Sequence, residues 1–205
     1  MELLLIRHGL PVRRELESGA ADPELAVDGV EQARRLGEYL ASERLDAVYA
    51  SSMMRARQTA EPVVDGRDLE LLIEPDVAEF DKDSSHYVPV EELKATNDPR
   101  WQAMIDGTWG GAEDPAEFHD RTVTALDRIV REHRGERVAV VCHGGVINAY
   151  IGDALGLPVD ARGFFYPNYT SINRMIASST GVRSLVTLNE TSHLRGSGLP
   201  MGLFQ

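Results

Sequence analysis

Two short runs in this chain place a histidine before glycine at the end of an apolar stretch. They are Arg7-His8-Gly9, after residues 2–6, and His143-Gly144-Gly145, after residues 138–142. A third apolar stretch ends in Ser51-Ser52 and reaches Arg55 one helical turn later. Arginine presents a rigid fork of donors that matches phosphate oxygens and stays charged. A neutral imidazole attacks phosphorus directly, and nearby arginines with a helix start lower a histidine's pKa and keep it neutral. Gly9 and Gly144 would let backbone N–H groups approach a ligand closely. His143 stands just before a helix start, where orphan N–H groups favour an anion. Together these residue types can bind and transfer a phosphoryl group.

For the groups to meet, three strands must end on one edge of a sheet. Residues 2–6, 46–50, 69–73 and 137–141 read as strands, the last an apolar run of the kind found inside parallel sheets. Asp28-Gly29-Val30-Glu31 predicts a capping box that opens a helix to about Ala41, with Val30, Ala33, Leu36 and Leu40 on one stripe. A helix follows over about 53–64. Asp114-Pro115-Ala116-Glu117 predicts a second capping box, opening a helix to about His133 that buries Phe118, Ala125, Leu126 and Ile129. A further helix spans about 146–155, and residues 172–177 and 182–188 form a neighbouring antiparallel pair. The expected fold class is α/β: a three-layer α/β/α sandwich with a mostly parallel central sheet. Residues 1–205 form a single domain, with an inserted lid segment at about 81–111. That segment is less regular and holds Trp101 and Trp109. Ligands of such folds bind beyond the carboxyl ends of the strands.

The 205 residues, 42% hydrophobic and 26% charged, suit an ordinary globular core. A formal net charge of -12 argues against nucleic acid and anionic membranes as partners, so an anion site must be a local concentration of arginine. The lone cysteine, Cys142, allows no internal disulfide and no cysteine-based metal site, and a buried strand-end thiol is inert. No apolar run approaches the roughly 20 residues of a membrane span. Residues 1–6 are too short for a signal sequence, so a cytoplasmic location is expected. His86, His119, His133 and His193 share no metal-ligand spacing, and His119 and His133 are expected to meet solvent.

Leu4-Leu5-Ile6-Arg7-His8-Gly9 resembles the signature of the histidine phosphatase superfamily, the phosphoglycerate mutase-like family. Residues 51–60, Ser-Ser-Met-Met-Arg-Ala-Arg-Gln-Thr-Ala, resemble its second block. Ala78-Glu79-Phe80-Asp81 resembles the segment carrying its acid, and Val141-Cys142-His143-Gly144-Gly145-Val146-Ile147 its second histidine block. Leu25-x-x-x-Gly29-x-x-Gln32-Ala33 and Asn189-x-x-x-His193-Leu194 fit as well. The resemblance implies that His8 is a nucleophile that becomes phosphohistidine. It implies that Arg7, Arg55 and His143 hold the phosphoryl oxygens, and that Glu79 protonates the leaving oxygen and then deprotonates water, with Asp81 the alternative carboxylate. It calls for no metal or other cofactor, because arginines and imidazoles supply the positive charge. The chain departs from the family in carrying Pro11 and Arg14 where threonine and asparagine are common, and Lys82-Asp83 after the acid segment.

The function expected is hydrolysis of a phosphate monoester. The alternatives are mutase-type phosphoryl transfer and a non-enzymatic phospholigand-binding module. The family's mutases usually carry Glu-Arg-x-Tyr-Gly at the acid, and Phe80-Asp81-Lys82-Asp83 here argues against the first. The partner expected is a small phosphorylated metabolite, with a homodimer left open. Arg14 and Lys82 are candidates for a further anionic group of the substrate. Tyr87, Val88, Pro89, Trp101, Met104 and Trp109 are candidates for an apolar pocket wall, to which Phe164, Phe165 and Tyr166 would add.

Overall fold

Leu3, Leu4, Leu5 and Ile6 are all shielded from solvent, so the first strand, β1 (Glu2–Arg7), is covered on both faces. It pairs in parallel with β6 (Arg137–Cys142) and antiparallel with β7 (Ile172–Ala177). Beyond β6 lie β3 (Ala47–Ser51) and β4 (Leu71–Glu74), both parallel; beyond β7 lies β8 (Arg183–Glu190), antiparallel. The sheet order is β4-β3-β6-β1-β7-β8. This computed structural model describes residues 1–105, 113–159 and 163–202.

Alternate residues of β1 and β6 feed two cores, as the period of a strand requires. Leu3, Leu5, Val138, Val140 and Cys142 pack with α5 (Pro115–Glu132) and α6 (Gly144–Ala154). Leu4, Ile6, Ala139 and Val141 pack with α1 (Val27–Leu40) and α2 (Met54–Val64). The expected three-layer α/β/α arrangement is the one observed. After β1 the chain builds β3 and β4, then returns to insert β6 between β1 and β3. That reversal makes the carboxyl ends of β1, β6 and β3 neighbours, the place where such sheets hold ligands.

Local details differ from the sequence reading. Helix α1 starts at Val27 after an extended Ala26, with no side-chain cap, so Asp28 sits in the first turn and complements the helix dipole instead. Its buried stripe is Gly29, Gln32, Ala33, Leu36, Gly37 and Leu40, while Val30 is 56% exposed. The cause is the docking of the helix start against residue 10: Ala26 N–H donates to the Leu10 carbonyl, and a Cβ on Gly29 would fall 2.0 Å from that same oxygen. Ala33, Leu36 and Leu40 are buried as expected, and only the first position of the stripe moves, from Val30 to Gly29. Helix α5 does begin with the expected Asp114 cap, whose carboxylate accepts from Ala116 and Glu117 N–H.

The lid segment is more ordered than expected. It holds β5 (His86–Tyr87), α3 (Val90–Ala95) and α4 (Pro99–Ile105), and β5 pairs antiparallel with β2 (Arg14–Glu15). Each element is under two helical turns or two residues long, too short for periodicity to register. Trp109 and the rest of 106–111 lie outside the described residues. No described helix is long and apolar enough to cross a membrane.

Candidate active site

His8 follows β1 directly and is buried, as are Arg7, Arg55 and His143. The ring of His8 is pinned from both sides. Its Nδ1 lies 2.7 Å from the Gly9 carbonyl oxygen, and its Nε2 lies 3.3 Å from Arg55 Nε. A carbonyl only accepts and a guanidinium only donates. The ring is therefore neutral, with its proton on Nδ1 and a lone pair on Nε2. Burial, then Arg55 and Arg7, push this imidazole well below its ordinary pKa, which agrees with that state. His143 is also pushed well down, by burial and then by Arg55 and His8. The two rings are 5.1 Å apart, and His143 Nε2 meets Ser51 Oγ at 2.8 Å.

Three buried polar atoms around His8 have no hydrogen-bond partner: Arg7 Nε, Arg55 Nη1 and His143 Nδ1. Each unmet donor of this kind costs about 1–3 kcal/mol. Other donors of the two guanidiniums are committed. Arg7 Nη1 donates to the Pro167 carbonyl at 2.8 Å, and Arg55 Nη2 donates to Asp81 at 3.1 Å. Aromatic rings cover the guanidinium faces: Tyr169 and Tyr166 stack on Arg7 at 4.3 and 4.9 Å, and Tyr87 on Arg55 at 4.7 Å. The site thus offers an oxyanion-sized ligand oriented cationic donors and an unpartnered imidazole nitrogen, beside an imidazole lone pair that accepts from Arg55.

Glu79 stands opposite, 8% exposed. Its carboxylate accepts from Gly145 N–H at 2.8 Å and from Phe80 N–H at 3.1 Å. Burial, followed by the neighbouring Asp81, pushes it up to about 7, against those two hydrogen bonds and Arg55. A Cβ on Gly145 would sit 2.2 Å from Glu79 Oε1, so only glycine lets this carboxylate dock on the start of α6. Arg121 of α5 fixes the chain just before it, donating to the Asp76 and Ala78 carbonyls at 2.7 and 2.8 Å while paired with Glu113.

The sequence reading therefore found Arg7, His8, Arg55, Glu79 and His143, and the fold brings all five together. It missed Ser51, Gly145, Arg121 and Tyr169 as parts of the site, and named Tyr87 and Tyr166 only as pocket wall rather than as partners of the arginines. Gly145 was visible as the second glycine of a pair, but nothing local marks Arg121. The glycines act differently from one another. Gly144 lies beside Arg7 Nε, a Cβ there falling 3.9 Å from it. Gly9 does not offer its N–H to a ligand, because that group donates to Thr59 Oγ1 at 2.9 Å; a Cβ there would fall 2.8 Å from the Gly29 carbonyl. Arg14 is spent on Glu24 and the Asp22 carbonyl, and Lys82 on Asp83, so neither is turned to His8. His133 pairs with Tyr49 and Glu136, and His119 lies against Asp153 and Asp120, so both meet carboxylates rather than open solvent. Burial pushes the Cys142 thiol up, which leaves it inert.

The late Asn189 and His193 act on the wall that carries the tyrosines. Asn189 accepts from Asn168 N–H and donates to the Tyr166 carbonyl, and His193 Nε2 meets Thr170 Oγ1 at 2.9 Å. Thr170 needs that support, since its φ of 52° is a strained value for a β-branched residue.

Comparison with known proteins agrees with this geometry. A sequence model described as the histidine phosphatase superfamily, branch 1, matches residues 3–191. Phosphoglycerate mutase-like protein 4 of Arabidopsis thaliana is 33% identical over 159 residues, covering 72% of this chain and 68% of its own. Phosphoserine phosphatase 1 of Hydrogenobacter thermophilus is 27% identical over 203 residues, covering 95% of this chain and 94% of its own. The solved structure of the alpha-ribazole phosphatase from Shigella flexneri superposes with a TM-score of 0.71 at 25% identity, over 93% of this chain and 96% of that one.

Proposed function

This chain belongs to the histidine phosphatase superfamily, branch 1, and on that premise we propose that it hydrolyses phosphate monoesters of small metabolites through phosphohistidine at His8. The observation that carries the reading is the set of three unpartnered buried nitrogens, on Arg7, Arg55 and His143, around the His8 Nε2 lone pair. A phosphoryl group placed there satisfies all three.

In the first step Nε2 attacks phosphorus, and the bond from phosphorus to the leaving oxygen breaks. The Glu79 carboxyl, pushed up to about 7 by burial and Asp81, gives its proton to that oxygen. The Arg55 donor that rests on Nε2 in the free site turns to the phosphoryl oxygens. The Nδ1–H bond to the Gly9 carbonyl steadies the imidazole as it gains charge. Water then attacks phosphorus, Glu79 takes its proton, and the N–P bond breaks to release inorganic phosphate. Arg7 and Arg55 supply the positive charge and the neutral His143 imidazole adds a polar contact, so the reaction is expected to proceed without a metal.

The test is alkaline denaturing quench of enzyme mixed with labelled p-nitrophenyl phosphate and a chelator. Label should appear on His8 in an acid-labile, base-stable form and vanish in His8→Ala together with turnover. Turnover by His8→Ala at a wild-type rate would refute the reading. Return of label to added 3-phosphoglycerate rather than to water would turn it into a mutase.

A further inference from the structure

Two carboxylates stand on one tight turn of this site. Lys82 N–H donates to the Glu79 carbonyl at 3.1 Å and Ser84 N–H to the Asp81 carbonyl at 2.9 Å, so Glu79 and Asp81 sit two residues apart on consecutive turns. Glu79 points to the start of α6, and Asp81 reaches Arg55. The Arg55 guanidinium is then fully accounted for. Its face lies on Tyr87, Nε is directed at His8, Nη2 is held by Asp81, and Nη1 remains open. At 1% exposure, Arg55 has no water to hold it in place of Asp81.

Resting on the phosphatase reading above, we infer that Asp81 is a positioning and charge-balancing residue: it aims Arg55, and its negative charge opposes the retention of product phosphate. The physical reason is Coulombic. Arg7 and Arg55 bring two positive charges to a buried site, and Asp81 cancels one of them. Without Asp81 a phosphate dianion would meet two uncompensated arginines at low effective dielectric, and would bind tightly and leave slowly. The same charge also acts on Glu79. The groups facing Glu79 are Arg55 from α2, Asp81 on its own turn, Cys142 and His143 from the end of β6, the Gly145 N–H of α6 and Arg121 of α5. The thiol and the imidazole are both held neutral. The Gly145 and Phe80 N–H groups and Arg55 drive Glu79 towards its ionised form, and Asp81 is the facing carboxylate that resists this. For Arg55 itself, burial works against the charge, and Asp81 is foremost among the groups that restore it.

Asp81→Asn keeps an oxygen acceptor for Arg55 and removes only the charge; Asp81→Ala removes both. In Asp81→Asn the alkaline limb of kcat/KM should move down by roughly one pH unit. Inorganic phosphate should bind and inhibit about tenfold more tightly. Asp81→Ala should show both changes and also lose about tenfold in kcat/KM below the limb, as Arg55 loses its aim. Phosphate affinity read by calorimetry on folded protein needs no turnover, and Asp81→Ser repeats the charge removal with a smaller side chain. Unchanged phosphate affinity in folded Asn and Ser variants would overturn the inference. Glu79→Gln separates the two readings. If it erases the alkaline limb while Asp81→Asn moves neither limb nor affinity, only the role of Asp81 falls. If the limb survives in Glu79→Gln, the acid role of Glu79 falls, and phosphate affinity alone then decides whether Asp81 balances charge.

Discussion

The floor of this site and its rim are built on opposite plans. The floor is Arg7, His8, Arg55 and His143, each carried at or within one turn of a sheet-strand end and each buried. The rim is the segment from Glu79 through α4, made of turns, two-residue pairing and short helices. Burial acts on both, with opposite effect on pKa. It pushes the two floor imidazoles down and the rim carboxyl of Glu79 up. Both shifts favour the neutral form, because low dielectric penalises either sign of charge. A nucleophile needs its lone pair and a general acid needs its proton, so one physical cause prepares both. In the proposed mechanism the floor carries the phosphoryl chemistry, while the rim sets when and for which leaving group it runs.

The floor is where substitution should cost most. Arg55→Lys keeps a positive charge but cannot hold Asp81, face Tyr87 and direct a donor to the phosphoryl group at once. A loss of about 10²–10³ in kcat/KM is expected. Steady-state kinetics equal to wild type would remove Arg55 from the floor and with it the contrast.

At the rim, Glu79→Gln should slow alkyl phosphates far more than p-nitrophenyl phosphate, since a good leaving group needs little proton assistance. The same change carries a stability signature. The Glu79 carboxyl rises from 4.5 to about 7 on folding, so its protonated form supports the folded state below pH 4.5, and that support is lost as pH rises towards 7. Against wild type, the glutamine variant should gain stability across that interval, by up to about 3 kcal/mol. Urea titrations at pH 4.5 and pH 8 read this directly; a constant difference between the proteins would mean Glu79 is not held protonated.

The floor histidines run the other way. Above the ordinary histidine value of 6.5, folded and unfolded chains both hold neutral imidazole. Below it the unfolded chain takes up protons that His8 and His143 refuse. Stability should fall as pH drops, by at most roughly 1.4 kcal/mol per pH unit for each histidine. His143→Asn should therefore lose less than wild type between pH 7.5 and pH 5.

The smallest effects separate parts of the rim. Tyr87→Leu removes the ring under Arg55 and should cost about tenfold in kcat/KM. Trp101→Ala, on a partly exposed helix of the same segment, should change it by less than about twofold. If the tryptophan matters more than the tyrosine, the leaving-group wall lies further out than the rim described here.

Most of the floor was legible in the linear sequence. Apolar runs ending in Arg7-His8-Gly9, Ser51-Ser52 and Cys142-His143-Gly144 signal buried strands whose ends carry polar groups, and a parallel sheet gathers such ends by its geometry alone. The α/β class, the three layers and the late antiparallel pair follow from the same periodicity. Other features depended on contacts between distant segments. Val30 faces solvent because Gly29 docks on residue 10. Arg14 is drawn off by Glu24 and Gly9 by Thr59, while Tyr87 from β5 and Tyr166 and Tyr169 from the segment before β7 close over the arginines. Local sequence fixes the type and period of an element. Which partner claims a given guanidinium, ring or N–H is set by what packing places within about 3–5 Å of it, and that distance exists only in the folded chain.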